Sequence, residues 1–363
     1  MATNTGVIVT QAVGTGSAVL TKKLSVAIAG TATAGSATAD SVYKVKSSAE
    51  AESLFGTIAD GGTLPLALSV LQRYGLGNIY VIKPSVGNEV AALEEFSTMP
   101  EIAAIAFPGD DGNATAIVDK LKEVADIIKA IAIVDFDATD AVADVYTKRA
   151  AGGEFGKADP RIIYVFPSLK NSDDPTQIEP LSLHLMGVIA GLNNYGVSPL
   201  NKPILGADAV NDASMTFSFS DQNADTEKLL DQGIVTVNQK MDTSLVLWGG
   251  RNSLYTEDSI DVLTWINAVR ARDEITKMIE ERSLKFLSSE SVIATANLLR
   301  ESYVNCLSAE AAKGAIKSDY RVTFNEASSD LSKGMLDYSI EFAPWLPIEL
   351  ITATVKISIK VGG

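Results

Sequence analysis

Cysteine and histidine are almost missing from this chain, with Cys306 and His184 the single representatives of each among 363 residues. One thiol cannot close an internal disulfide and one imidazole cannot supply a pair of ligands, so disulfide-built secreted scaffolds and cysteine- or histidine-based zinc centres are excluded. Basic residues are outnumbered as well: 30 Lys and Arg face 45 Asp and Glu, a net charge of −15. Such a surface does not seek phosphate, and neither nucleic acid nor an anionic membrane is an expected partner. The weakly charged stretch from Leu24 to Ala39 is built of Ala, Gly, Ser and Thr, too short and too polar for a membrane span. No basic segment precedes an apolar core at the N-terminus, as a secretory signal requires. A soluble, intracellular protein is the expectation.

What is present reads as a folded chain. Hydrophobic residues make up 46% and charged residues 21%, which separates the sequence from disordered chains, and its length suits two domains or one with a large insertion. The β-branched run Gly6–Thr10 and a second run with Ala18, Leu20, Leu24, Val26 and Ile28 on one parity predict two extended segments joined at Gly14 and Gly16. From Val42 the pattern alternates. Short apolar runs at Val42–Val45, Ile79–Ile82, Ile102–Phe107, Ile131–Val134 and Ile162–Phe166 are separated by helical segments. Those segments begin after Ser47-Ser48 and after Gly61-Gly62, and span about Asn113–Lys129 and Thr139–Ala150. This order predicts βαβ units and a mainly parallel sheet. A further helix over about Glu179–Leu192 precedes a loop-rich stretch, Gly196–Asp225, that reads as a boundary.

Beyond it, Ile234–Val237 and Leu245–Trp248 read as strands. Two long helices follow, about Asp258–Arg282 and Ser291–Lys313, the second ended by Gly314. The last segment alternates without error: Ile351, Ala353, Val355, Ile357, Ile359 and Val361 fall on one face, and Thr352, Thr354, Lys356, Ser358 and Lys360 on the other. With no hairpin partner after it, such a strand must pair with structure already built, in its own subunit or a neighbour.

Catalytic constellations are weak throughout. Val13–Ser17 is Gly-rich, but the Gly-Lys-Ser/Thr order that converges on phosphate is lacking. Asp135, Asp137, Asp140 and Asp144 follow a predicted strand, where α/β enzymes keep their chemistry. A capping role, with Asp137 or Thr139 opening the next helix, is the better reading, and calcium-loop spacing fails. His184 lies between Leu183 and Leu185 with no nucleophile elbow to serve it, and Cys306 beside Leu307 reads as a small buried hydrophobe. The alternative class, a soluble α/β enzyme using Asp135–Asp144, rests on that cluster alone.

At Trp248-Gly249-Gly250-Arg251-Asn252, followed by Trp265, Arg270 and Arg272 on a long helix, the chain resembles the contractile tail sheath proteins of bacteriophages. It is most similar to the compact sheaths of P2-like phages and R-type pyocins. Further landmarks match in the same order: Gly6–Thr10, Ile131–Asp135, Ser198-Pro199-x-Asn201-Lys202, the helix before Gly314, a Tyr338–Phe342 strand and the terminal strand. Asn252 stands where the family usually has Thr, which bears on the cap of the helix that follows.

The resemblance implies an α/β (α+β overall) chain that is not an enzyme and needs no cofactor or metal. It implies four parts: an N-terminal arm over 1–24, an outer α/β domain over 25–205, an inner domain over 206–346 and a C-terminal arm over 347–363. The arms would exchange strands between subunits through Val7, Ile8, Val9, Ile351, Val355, Ile357 and Ile359. Copies would stack as six-membered rings around an inner tube, with baseplate and tail-terminator proteins as further partners, in a virion tail assembled in the host cytoplasm. A cell-encoded injection system is the alternative source. The basic residues Arg270, Arg272, Lys277, Arg282, Lys285 and Arg300 on the two long helices and their connection read first as surface charges paired with Asp273, Glu274, Glu280 and Glu281; under the resemblance, Arg282 and Lys285 are the first candidates for gripping the tube.

Overall fold

The computed structural model describes residues 24–109, 114–192, 194–256, 261–287, 292–329 and 335–349. Its first half runs β1 (Ser25–Ala29), β2 (Val42–Val45), α1 (Ser48–Phe55), α2 (Thr63–Arg73), β3 (Ile79–Ile82), α3 (Glu89–Glu94), β4 (Ile102–Ala106), α4 (Thr115–Ile128), β5 (Ile131–Asp135), α5 (Val142–Arg149) and β6 (Ile162–Val165). After these come β7 (Leu169–Asn171), β8 (Ile178–Glu179), α6 (Leu181–Gly191), β9 (Ala207–Val210), α7 (Asp225–Asp231), β10 (Ile234–Gln239) and β11 (Leu245–Trp248). The last part holds α8 (Ile266–Leu284), α9 (Val292–Ala312), β12 (Arg321–Phe324) and β13 (Tyr338–Glu341).

An eight-stranded sheet in the order β11-β10-β6-β5-β4-β1-β3-β2 organises the molecule. Its six central strands are parallel, and β2 and β11 close the edges antiparallel. All five residues of β1 and of β5 are buried, as are all four of β3 and of β6. That is why these segments are short, continuous apolar runs: helices cover both faces, so no position faces water. The one-sided parity expected around Val26 and Ile28 is therefore corrected, since Ser25, Ala27 and Ala29 are buried too. Small residues in β1 and β4 let α2 and α6 approach the sheet.

The loop-rich stretch does not divide this sheet. It carries β9, which pairs with β7 beside β8 in a small three-stranded sheet, and the chain then returns to lay β10 against β6. The eight-stranded sheet therefore continues across the stretch in which the boundary at 205/206 was expected. A second core, around Ala271, Ile275, Leu299, Tyr303, Leu307, Ile316 and Val322, is built by α8, α9 and the β12–β13 hairpin.

Two helix starts also move. The helix expected from Asp258 begins at Ile266, because Val262–Thr264 form a 3-10 turn capped by Asp261. The helix expected from Thr139 begins at Val142. Gly314, at φ 72°, ends α9 as anticipated, with Ala315 N–H donating back to Glu310.

Candidate assembly site

In an open parallel sheet, ligands bind outside the strand C-termini where the chain order reverses. Here that place lies between β1 and β4, facing the N-terminus of α2. Thr31 fills it. Its side chain accepts from Thr63 N–H (3.1 Å) and its carbonyl from Leu64 N–H (2.9 Å), while Thr63 Oγ1 accepts from Thr31 N–H (3.0 Å). The free amides that would hold a phosphate are thus spent on the chain itself.

The acidic cluster is structural. Asp135 accepts from Ser182 N–H (2.9 Å) and Ser182 Oγ (2.5 Å) in the first turn of α6. Asp137 and Asp140 both hold Lys148, and Asp144 accepts from Ala141 N–H. Neither Asp137 nor Thr139 caps α5; Asp144 does, reaching back from inside the helix. Among the described residues no group of His, Cys, Asp and Glu is arranged to hold a metal ion.

His184 is fully buried in a relay. Leu205 N–H donates to Tyr74 Oη (3.0 Å), which lies 3.0 Å from His184 Nδ1, while His184 Nε2 lies 3.1 Å from Glu179. Arg73 and Asn171 also donate to Glu179. Burial pushes the imidazole below its ordinary value against the pull of Glu179, so the relay runs through a neutral histidine with its proton on Nε2. Burial would raise Glu179, but hydrogen bonds from His184, Asn171 and Arg73 outweigh it and hold the carboxyl low. Cys306 is buried with its Sγ against Met278.

The Trp248–Asn252 string forms a junction. Trp248 stacks edge-on against Phe219 and donates to Glu227 (3.0 Å). Gly250 lies against Trp265, leaving little room for a Cβ beside Ser198. Asn252 donates to Pro160 O (3.0 Å) and Leu263 O (2.7 Å) and accepts from Leu254 N–H. It ties the 3-10 turn to β6, and the cap of α8 is Trp265. The Arg251 guanidinium lies 3.5 Å from the Trp265 ring centroid and 4.5 Å from that of Tyr255, donates to Thr264 Oγ1, and forms a two-point pair with Glu349 (3.1 and 2.9 Å).

Glu349 belongs to the strap that leaves β13. Pro344 bridges Ile316, Trp345 Nε1 donates to Ile316 O (3.1 Å), and Trp345 O accepts from Asn267 Nδ2 (2.7 Å). The same amide of Asn267 donates to Gly196 O (3.0 Å). Leu24, at the other end of the described chain, faces a narrow crevice with Tyr195, Arg270 and Asp273. The roots of both terminal segments therefore lie against α8. Val7, Ile8, Val9, Ile351, Val355, Ile357 and Ile359 lie outside the described residues.

The six basic residues do not form one patch. Arg270 is buried, its pKa pushed down to about 10 by burial despite Glu274, and it reaches the carbonyls of Val197 and Ile189. Arg272 contacts Asp273, and Lys277 pairs with Glu274. At the far end of α8, Arg282 leans toward Ser302 (3.4 Å) and Lys285 is exposed, 3.8 Å from Glu281. Arg300 reaches Val322 O. What sequence reasoning missed is the joining of the two cores by Arg161–Asp273, Lys129–Glu280 and Tyr195–Glu310; nothing in the spacing of those residues connects them.

Residues 85–253, from the loop after β3 through the Trp-Gly-Gly-Arg-Asn string, match the family model of the phage tail sheath protein central domain. That match covers 169 of the 363 residues, and with the fold just described it makes the chain similar to contractile-sheath proteins. A curated tail sheath protein of Burkholderia phage BcepMu is 24% identical over 250 residues, 66% of this chain and 52% of the relative, so the match spans about half of that protein's length. A chain of the anti-feeding prophage baseplate shares the fold at TM-score 0.75 and 19% identity, covering 99% of this chain and 100% of that one. The contracted sheath of the PVC extracellular contractile injection system does so at 0.73 and 16%, covering 99% of each.

Proposed function

We propose that this chain is the repeating subunit of a contractile sheath. Copies stack as six-membered rings around an inner tube and contract to drive it through a target envelope. The observation that carries this reading is the whole-length fold correspondence to the contracted PVC sheath, 99% of this chain against 99% of that one. The β12–β13 hairpin supports it further: among the described residues these strands pair in a sheet only with each other. A two-stranded sheet is marginal alone. Strands from neighbouring subunits, supplied by residues 1–24 and 347–363, would complete it, and contacts of this heterologous kind propagate as a helical filament.

The partners under this reading are further copies of the chain, a tube protein, a baseplate and a terminator. The work of contraction comes from better contacts in the contracted lattice rather than from a nucleotide. The location is the tail of a virion or particle assembled in the host cytoplasm. A cell-encoded injection particle is a second reading, favoured by the correspondence to the anti-feeding prophage and PVC chains; the mechanism is the same. The division we favour within the chain is the sheet unit up to about the Trp248–Asn252 string and the α8–α9–hairpin unit after it.

Electron microscopy of the purified chain tests the reading. The parent should form tubes or ring stacks, and deletion of 348–363 should leave a folded monomer that does not polymerise, because each lost main-chain hydrogen bond forfeits about 0.5–1.5 kcal/mol at every subunit. A deletion variant that still builds long tubes overturns the strand-linking role.

A further inference from the structure

Arg251 is unusually prepared for its partner. Its guanidinium is held flat over Trp265, flanked by Tyr255 and fixed by Thr264, so the fork that meets Glu349 is oriented by its surroundings. The strap it engages is held at two points of different character. Trp345 is fixed through its backbone carbonyl to Asn267, which is 1% exposed, and through its indole to Ile316 O. Four residues on, Glu349 is fixed through an ion pair whose carboxylate side chain is 39% exposed. Between the two points Leu346 is half exposed and Ile348 is 75% exposed, so apolar packing adds little hold there. Pro344 and Pro347 stiffen the backbone by fixing φ. The inner hold is insensitive to salt, whereas the outer one is screened by it.

We propose that Arg251 and Glu349 form a salt-sensitive clasp that holds the outer end of the strap after β13, with Asn267–Trp345 as its permanent anchor, and that this hold serves assembly. The role in assembly rests on the sheath reading; the clasp itself does not. A pair of this exposure contributes little to global stability, so its loss acts on the strap and not on the fold.

The strap is read directly by a spin label at Ile348→Cys in the full chain, Cys306 being buried. Glu349→Lys or Arg251→Met should increase label mobility roughly threefold at low salt, the population change expected for a weak pair. Raising salt from about 50 mM to about 1 M should mobilise the parent toward the same value and leave the variants unchanged. Glu341→Lys, the same charge change on an exposed residue of β13, should leave the label at the parent value. Equal mobility in parent and Glu349→Lys, or equal acceleration by Glu341→Lys, overturns the clasp. Tube formation separates the two readings. A parent that forms tubes while Glu349→Lys forms several-fold fewer, at an unchanged melting midpoint, supports the role in assembly; equal tube yields overturn that role and leave the sheath reading standing. A parent that forms no tubes overturns the sheath reading, and the label then decides the clasp alone.

Discussion

Replacing Asp273 by Asn should destabilise the protein more than any surface change, and the structure sets the magnitude. Asp273 on α8 is 5% exposed in its side chain and Arg161, just before β6, is 10% exposed. Arg161 donates to both Asp273 oxygens (2.5 and 3.1 Å), to Ala130 O (2.9 Å), and pairs with Asp126 (2.7 Å). Burial alone would lower the arginine pKa, but Asp273 and Asp126 more than offset it. Breaking one side of a buried pair costs about 3–5 kcal/mol, because the other charge stays buried without its partner. Asp126 and Ala130 remain after the substitution, which places the loss near the lower end, about 3 kcal/mol. At about 2.1 cal/mol/K of unfolding entropy per residue, a chain of this length melting as one unit should drop by about 4 °C. Scanning calorimetry at neutral pH measures this. The double variant Arg161→Met with Asp273→Leu should recover most of the loss, since packed apolar groups replace a buried pair at little cost. A midpoint within about 1 °C of the parent for Asp273→Asn would refute the claim that this pair joins the two cores.

Stability should also fall as the pH drops from about 6.5, because the unfolded chain takes up a proton that buried His184, held below its ordinary value of 6.5, refuses. Glu179, held below its ordinary 4.5, extends the loss at lower pH. The loss below about pH 6.5 should be smaller in His184→Gln, read as urea midpoints; an unaltered pH dependence in the variant would assign the titration to another group. Charge reversal at Arg282 and Lys285 should leave self-assembly intact and weaken co-assembly with the tube, more so at high salt, measured by co-sedimentation. Binding equal to the parent at low and high salt would move the tube contact elsewhere.

The parallel sheet was legible because a strand buried on both faces is a short unbroken apolar run, and Ile79–Ile82, Ile102–Ala106, Ile131–Asp135 and Ile162–Val165 are such runs. Helix starts were less so. Val262 and Trp265 continue the apolar spacing of α8, yet Asp261 caps a 3-10 turn there and the helix begins only at Ile266. Periodicity reports which side chains are apolar, not which backbone amides another residue has already engaged. The Trp-Gly-Gly-Arg-Asn string was recognisable as a landmark, but its work was not: Arg251 meets Glu349 across 98 positions of sequence, and Asn252 meets Pro160 O across 92. Long-range polar contacts carry no local signature. The same holds for Arg270, which looked like part of a basic patch and lies buried under the carbonyls of Val197 and Ile189.

These buried polar links bear on how the two cores of the chain hold together. Arg161–Asp273 and the Asn267–Gly196 carbonyl bond tie α8 to the sheet unit, and Tyr195–Glu310 ties α9 to it. Shifting one core against the other would strand charged or polar groups without partners, each at a cost of about 1–3 kcal/mol or more. The terminal roots carry no such penalty. Leu24 makes its contacts by packing, and Glu349 is held by a pair that water can replace. Under the proposed sheath reading, the described body of the chain is therefore expected to move as a rigid piece.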